Sequence, residues 1–139
     1  MKKRTPVSAI MATDLVTLNI SDDLVTAEKL FLENKIKHIP VVKDKEIIGM
    51  LSYTDILKIG YSDVTDDEKG VETYVYNTFT IEQVMAKNVI MVPPYATIKE
   101  VAELLTKKEF HALPVVEDGE LVGIVTTRDL INYLVAQLQ

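Results

Sequence analysis

The chain predicts a mixed α/β (α+β) fold built from two copies of one strand–helix–strand–strand–helix unit. Three observations predict it. Residues 8–58 and 82–132 align without a gap at a constant shift of 74, with ten identities in 51 positions, where ordinary composition gives roughly three. Within each copy, apolar and β-branched runs of strand length alternate with segments of helical apolar spacing. Each copy also places a turn signal between two strand-like runs, Asp44-Lys45 in the first and Asp118-Gly119 in the second, and Asp-Gly is a strong hairpin signature. A unit of about 50 residues buries too little surface to stand alone. The copies are therefore expected to pack on each other, with anything functional at their seam.

The elements of the first copy follow in order. Residues 15–18 are an apolar run of strand length. Ser21 opens a helix, with Asp22 and Asp23 in the first turn, where acids favour the helix dipole. Leu24, Ala27 and Phe31 form its inner stripe. Residues 38–43 and 46–52 are the arms of a hairpin, and a helix follows over about 54–59. In the second copy, Thr80-Ile81-Glu82-Gln83 is a capping box that opens a short lead-in helix. Residues 89–92 form a strand stopped by Pro93-Pro94. Thr97-Ile98-Lys99-Glu100 is a second capping box, and Ile98, Val101, Ala102 and Leu105 share one face of the helix behind it. Residues 111–117 and 120–126 pair as a hairpin, and a last helix covers about 128–138. The resulting organisation is a first unit at 1–59, a connector at 60–79 and a second unit at 80–139. The connector has an acidic half, read as a solvated link, and an aromatic half with Tyr74 and Tyr76, read as a lid or partner contact.

Composition bounds the function. Of the 139 residues, 47% are hydrophobic, ample for a core and too many for disorder. No apolar run approaches the ~20 residues needed to cross a bilayer, so no membrane partner is expected. Met1-Lys2-Lys3-Arg4 is basic, but no apolar stretch follows, which argues against a signal peptide. Cysteine is absent. That excludes disulfides, thiol catalysis and cysteine metal sites, and fits a cytoplasmic location. The net charge of −6 argues against a nucleic-acid surface, yet leaves room for a small anion at a helix N-terminus. Tryptophan is absent and aromatics make up 6%, so stacking along single strands is poorly supported.

The chemistry-bearing pattern closes each hairpin. The first copy reads Gly49-Met50-Leu51-Ser52-Tyr53-Thr54-Asp55, the second Gly123-Ile124-Val125-Thr126-Thr127-Arg128-Asp129. One reading is a helix cap, because Ser/Thr-x-x-Asp is the sequence form of a capping box. The other is a nucleotide cradle. A helix N-terminus offers N–H groups to phosphate, and a carboxylate can accept two hydrogen bonds from a ribose diol. The glycine three residues before each hydroxyl lets another group approach the backbone closely. Arg128 can pair with phosphate oxygens in a fork geometry, and Thr54 takes its place in the first copy. Lys37 and His111 occupy equivalent positions and read either as phosphate-facing or as partly exposed packing residues. His38 and His111 do not align, and two histidines without cysteine make no zinc site. Neither a nucleophilic triad nor a glycine-rich phosphate loop is evident, so no catalytic residue, metal or required cofactor is expected.

The order of Met-Ala, strand, helix, Leu/Ile-Pro-Val-Val, Asp-x-x-Ile/Leu-Val/Ile-Gly and Ser/Thr-x-x-Asp, in duplicate, resembles tandem CBS domains, the arrangement called a Bateman module. The resemblance covers nearly all of the chain outside the connector. It implies two pseudo-symmetric β-α-β-β-α CBS units packed through their sheets, with two clefts at the seam. These clefts would bind an adenosine-containing regulatory ligand such as AMP, ADP, ATP or S-adenosylmethionine. It implies ribose binding by Asp55 and Asp129, with hydroxyls at Ser52 and Thr126. Backbone contact with adenine falls to Thr17 and Met91, and flanking contacts to Ile39-Pro40 and Leu113-Pro114. Met91 departs from the threonine usual at that position. His111 and Arg128 complete the candidate site. The resemblance further implies a homodimer through the apolar helices, notably Leu130, Ile131, Leu134 and Leu138, and an unidentified regulated protein as partner. Two alternatives remain open: a structural interaction module with no nucleotide, and a cyclic di-AMP receptor. An enzyme acting on a nucleotide is the weakest reading.

Overall fold

The computed structural model describes residues 4–62, 78–108 and 110–139. They fold into two compact units that do not follow the sequence copies. One unit is Val16–Asn88; the other joins Met1–Leu15 to Val89–Gln139.

The Val16–Asn88 unit holds β1 (Leu18–Asn19), α1 (Leu24–Asn34), β2 (His38–Lys43), β3 (Glu46–Ser52), α2 (Tyr53–Ser62) and α3 (Ile81–Val84). Its sheet runs β1-β2-β3, with β1 parallel to β2 and β2 antiparallel to β3. Strand alternation sends Ile39, Val41 and Leu51 to one face, where they pack with Leu18, Leu24, Ala27, Phe31, Ile56, Ile81 and Met85. The Phe31 and Tyr53 rings meet edge to face at 5.5 Å. The unit of Met1–Leu15 and Val89–Gln139 holds a single 3-10 turn (Val7–Ala9), α4 (Ile98–Lys107), β4 (Ala112–Glu117), β5 (Glu120–Thr126) and α5 (Thr127–Gln137). Its core gathers Val7, Val92, Ala96, Val101, Leu113, Val115 and Val125.

The two hairpins share one irregularity. Val41 pairs with Gly49 and Val42 with Ile47, so Ile48 is the extra residue of a bulge. Val115 pairs with Gly123 and Val116 with Leu121, which leaves Val122 in the same role. A bulge turns the strand locally, and both Ile48 and Val122 pack against their own cores. At the tip of the second hairpin Asp118 and Gly119 take φ of 51° and 81°, the left-handed pair of a tight hairpin turn.

The lead-ins are exchanged. Val7, from the first copy, is fully buried in the core built by the second; Ile81, from the second, is fully buried in the core built by the first. Ala12 pairs with Ile124 through N–H to carbonyl bonds of 2.8 and 3.0 Å, and Ala86 pairs with Met50 through bonds of 2.9 and 3.0 Å. Each rung adds one residue to the free edge of a hairpin.

Four local expectations change. The first helix is capped by Asp23, whose carboxylate accepts from Thr26 N–H at 2.8 Å. Ser21 is instead held by Asn19 Oδ1, to which both its N–H and its hydroxyl donate. The first strand is Leu18–Asn19 rather than 15–18, and the run 89–92 supplies only one bridge, Val92 to Val115. Their apolar residues Val16 and Ile90 serve the cores rather than a ladder. At Thr97 only half a capping box forms, because the Thr97 hydroxyl, not its backbone N–H, donates to Glu100. The hairpins match to within a residue, and the Thr80 capping box is complete. The lid reading of Tyr74 and Tyr76 lies outside the described residues.

Candidate functional site

Burial of the last core residue of each hairpin decides where the hydroxyl points. Leu51 and Val125 are fully buried, so Ser52 and Thr126, one residue on, face the opposite side of the sheet. That is where each chain turns into a helix. Ser52 N–H donates to Asp55 Oδ2 at 3.0 Å, and Asp55 N–H donates to Ser52 Oγ at 3.1 Å. The second copy repeats this: Thr126 N–H donates to Asp129 Oδ2 at 2.9 Å, and Asp129 N–H to Thr126 Oγ1 at 3.2 Å. Both aspartates are half-buried. The capping-box reading is thus realised in both copies, and it uses one carboxylate oxygen. Among the described residues, Oδ1 of Asp55 and of Asp129 accepts no hydrogen bond from the protein.

The caps also limit what each helix N-terminus can offer. A helix start has four backbone N–H groups without intrahelical partners. In α5, those of Thr126 and Asp129 are used in the box, and Thr127 N–H donates to His111 O at 2.9 Å. In α2, Ser52 and Asp55 are used likewise, and Tyr53 N–H donates to Lys37 O at 2.9 Å. One N–H per helix remains for a ligand, that of Arg128 and that of Thr54. Anion binding at each start would therefore rest on one backbone donor plus side chains. These same bonds seat Lys37 and His111 beside the caps. Both side chains are exposed, as are Thr54 and Arg128.

The remaining candidates divide between face and core. Thr17 is exposed and precedes Leu18, which pairs with Val41. Alternation puts Thr17 beside Pro40, itself buried, on the face that carries Ser52. In the other unit, Val92 N–H donates to Pro114 O at 3.1 Å. That seats Met91, 45% exposed, beside the buried Pro114 on the face that carries Thr126. Ile39 and Leu113 turn the other way. They lie at 0% and 1% exposure inside the two cores, so the structure does not open either residue to a ligand. Each unit thus gathers its own set: Thr17, Pro40, Ser52 and Asp55 in one; Met91, His111, Pro114, Thr126, Arg128 and Asp129 in the other.

The repeated glycines have a different tenant from a ligand. A Cβ at Gly123 would sit 2.5 Å from Met11 Sδ, 2.9 Å from its Cγ and 3.1 Å from Ala12 O; one at Gly49 would run into Met85 Sδ. The group that approaches each glycine is a lead-in methionine. Both Met-Ala and the glycine stand out in the sequence, but no local pattern joins them. No group of three or more His, Cys, Asp or Glu side chains suited to a metal occurs among the described residues.

Duplicated caps at matched strand ends, on two hairpins of one register, agree with an independent comparison. A CBS domain family model matches residues 7–62 and again 81–136. The chain belongs to the CBS-domain family. This CBS pair is 33% identical over 141 residues to the uncharacterized protein MJ1426 of Methanocaldococcus jannaschii, covering 82% of each chain. It is 29% identical to a homoserine O-acetyltransferase of Methanohalobium evestigatum over 91% of its own length but only 23% of the enzyme's. It therefore spans under a quarter of that longer relative. Among solved structures, the CBS domain pair of protein MJ0100 in complex with 5′-methylthioadenosine and S-adenosylmethionine superposes with a TM-score of 0.77. The two are 26% identical, with 94% of this chain and 99% of that one covered. No helix among the described residues is long and apolar enough to cross a membrane.

Proposed function

We propose that this CBS pair is a regulatory module that binds an adenosine-containing ligand at the rim formed by each Ser/Thr-x-x-Asp cap and its neighbouring strand ends. The observation that carries the reading is the pair of half-bonded aspartates. Each has Oδ2 fixed in a cap and Oδ1 open, so the carboxylate is oriented before a ribose diol arrives. From Thr17 across β2 to Ser52 is two strand spacings and two residues, a diagonal of roughly 12 Å, comparable with the length of a nucleoside. Thr17 and Met91 would meet the base through their backbone, Pro40 and Pro114 would flank it, and Arg128 and His111 would face a phosphate in one unit only. The likeness to the MJ0100 pair, which carries 5′-methylthioadenosine and S-adenosylmethionine, supports an adenosyl ligand over an unrelated small molecule.

The ligand would act by favouring one conformation of the module, which a partner protein reads; this requires different affinity for the two states. Self-association belongs to the same reading. Helix α5 has no buried residue and exposes Ile131, Leu134 and Val135, followed by the exposed C-cap Leu138, a stripe suited to a second copy.

A thermal-shift panel of AMP, ADP, ATP, S-adenosylmethionine, 5′-methylthioadenosine and cyclic di-AMP tests the function. A ligand at 100 times its Kd stabilises the native state by about 2.7 kcal/mol. A shift with at least one adenosyl compound is expected, followed by calorimetry for stoichiometry. A flat response to the whole panel would favour a structural interaction module, and a response to cyclic di-AMP alone would make the chain a cyclic-dinucleotide receptor.

A further inference from the structure

The two rims are joined by the chain itself. Ala12 is bonded both ways to Ile124, two residues before the Thr126 cap. Four residues later Val16 is packed into the other unit's core, immediately before the candidate ligand residue Thr17. The same course repeats in reverse. Ala86 is bonded both ways to Met50, two residues before the Ser52 cap, and Ile90 enters the other core just before Met91. Only Thr13, Asp14 and Leu15 separate the anchors of the first crossing, and only Lys87, Asn88 and Val89 those of the second. Four residue steps reach at most roughly 14 Å, so the chain itself caps how far apart the two anchors of each crossing can be.

We infer that the two exchanged lead-ins couple the rims reciprocally. A change at the Thr126–Asp129 cap moves the Ala12–Ile124 rung and is delivered to Thr17; a change at the Ser52–Asp55 cap moves the Ala86–Met50 rung and is delivered to Met91. Each rung is held against its hairpin by one methionine on one glycine, Met11 on Gly123 and Met85 on Gly49. Coupling needs an element with two arrangements, and the candidate is this rung, with its methionine seated or expelled. The inference rests on the nucleotide reading only for what drives the change, not for the transmission.

Hydrogen exchange on the full chain without ligand tests the transmission. Gly123→Ala expels Met11 inside the Met1–Leu15/Val89–Gln139 unit. The expected result is a loss of protection, about fivefold or more, at the Ile20 amide, which is bonded to Val42 O in the other unit, while interior amides of α1 keep theirs. Gly49→Ala should act reciprocally at the Val92 and Val116 amides, with α4 as the control. Loss confined to the mutated unit, or spread equally to the control helices, overturns the coupling. Should Gly123→Ala fail to fold, Met11→Ala, which unseats the rung without adding bulk, is read by the same criterion. A flat nucleotide panel would remove the ligand but would not change the exchange pattern expected of these ligand-free variants.

Discussion

Substitution of Asp129 separates the cap that the structure shows from the ribose contact proposed for it. As a cap, its Oδ2 accepts Thr126 N–H at 2.9 Å. Asp129→Ala leaves that half-buried donor without its acceptor, at a cost of about 1 kcal/mol in stability. As a ligand group, its Oδ1 would hold the ribose, and losing a charged acceptor there costs about 1–3 kcal/mol, or roughly 5–150-fold in affinity. Alanine removes both at once and cannot tell them apart. Asp129→Glu can, because glutamate is the usual partner at this position of a capping box. It should keep stability within about 0.5 kcal/mol, yet its carboxylate starts one bond, about 1.5 Å, farther from the backbone. The expected pattern is loss of stability and affinity for alanine, and loss of affinity alone for glutamate. Urea unfolding supplies the first quantity, and calorimetry with 5′-methylthioadenosine and with AMP the second. Wild-type affinity in both Asp129→Glu and Asp129→Ala, with the alanine variant still less stable, would reduce the motif to a cap and refute the ribose contact. The same series at Asp55 reports on the other unit.

Three further outcomes are expected. Gly123→Ala should destabilise the chain by about 1–3 kcal/mol through overpacking, and Met11→Ala in the same chain should recover part of that, giving a coupling energy of at least about 0.5 kcal/mol in a double-mutant cycle; additive effects would mean that the sulfur is not what fills the space. Asp23→Ala should cost about 1 kcal/mol near neutral pH as a lost N-cap. Hydrogen bonds from the Thr26 side chain and backbone hold the Asp23 carboxyl below its ordinary value of 3.8. The cap's contribution is therefore fully present above that value, and the gap between wild type and variant should close as pH falls through the lower folded value; a gap that persists in strong acid contradicts the cap. In sedimentation velocity the wild type should run as two chains and Leu134→Glu as one, with near-normal stability because α5 buries no residue; a monomeric wild type removes the α5 contact.

What the sequence disclosed, and what it withheld, follows from which interactions are local. The hairpins were legible because β-branched runs and turn residues act within a few positions of each other. The Ser/Thr-x-x-Asp caps were legible for the same reason. Residues 15–18 and 89–92 looked like strands because apolar content says that a residue is buried, not that its backbone finds a ladder partner. Val16 and Ile90 are packed against cores, and only Leu18 and Val92 begin the pairing. That Ile39 and Leu113 face inward follows from alternation, once the register with Leu51 and Val125 is known.

The exchange of lead-ins lay beyond reach for a reason peculiar to duplicated chains. Each copy offers a Met-Ala lead-in and a glycine edge, so Met11 on Gly49 and Met11 on Gly123 are the same pairing in chemical terms. No local preference distinguishes a chain that keeps its lead-ins from one that trades them. Nor does length decide it, because the segments that join lead-in to strand are identical in length in the two copies, six positions from Ala12 to Leu18 and from Ala86 to Val92. With the lead-ins kept, the copies would share no ladder rung or core residue of this kind. With the lead-ins traded, each core includes a fully buried side chain, Val7 or Ile81, supplied by the other copy. Removing either lead-in should therefore unfold the unit that contains mostly the other copy's sequence, which makes duplication here a condition of the fold and not merely its history.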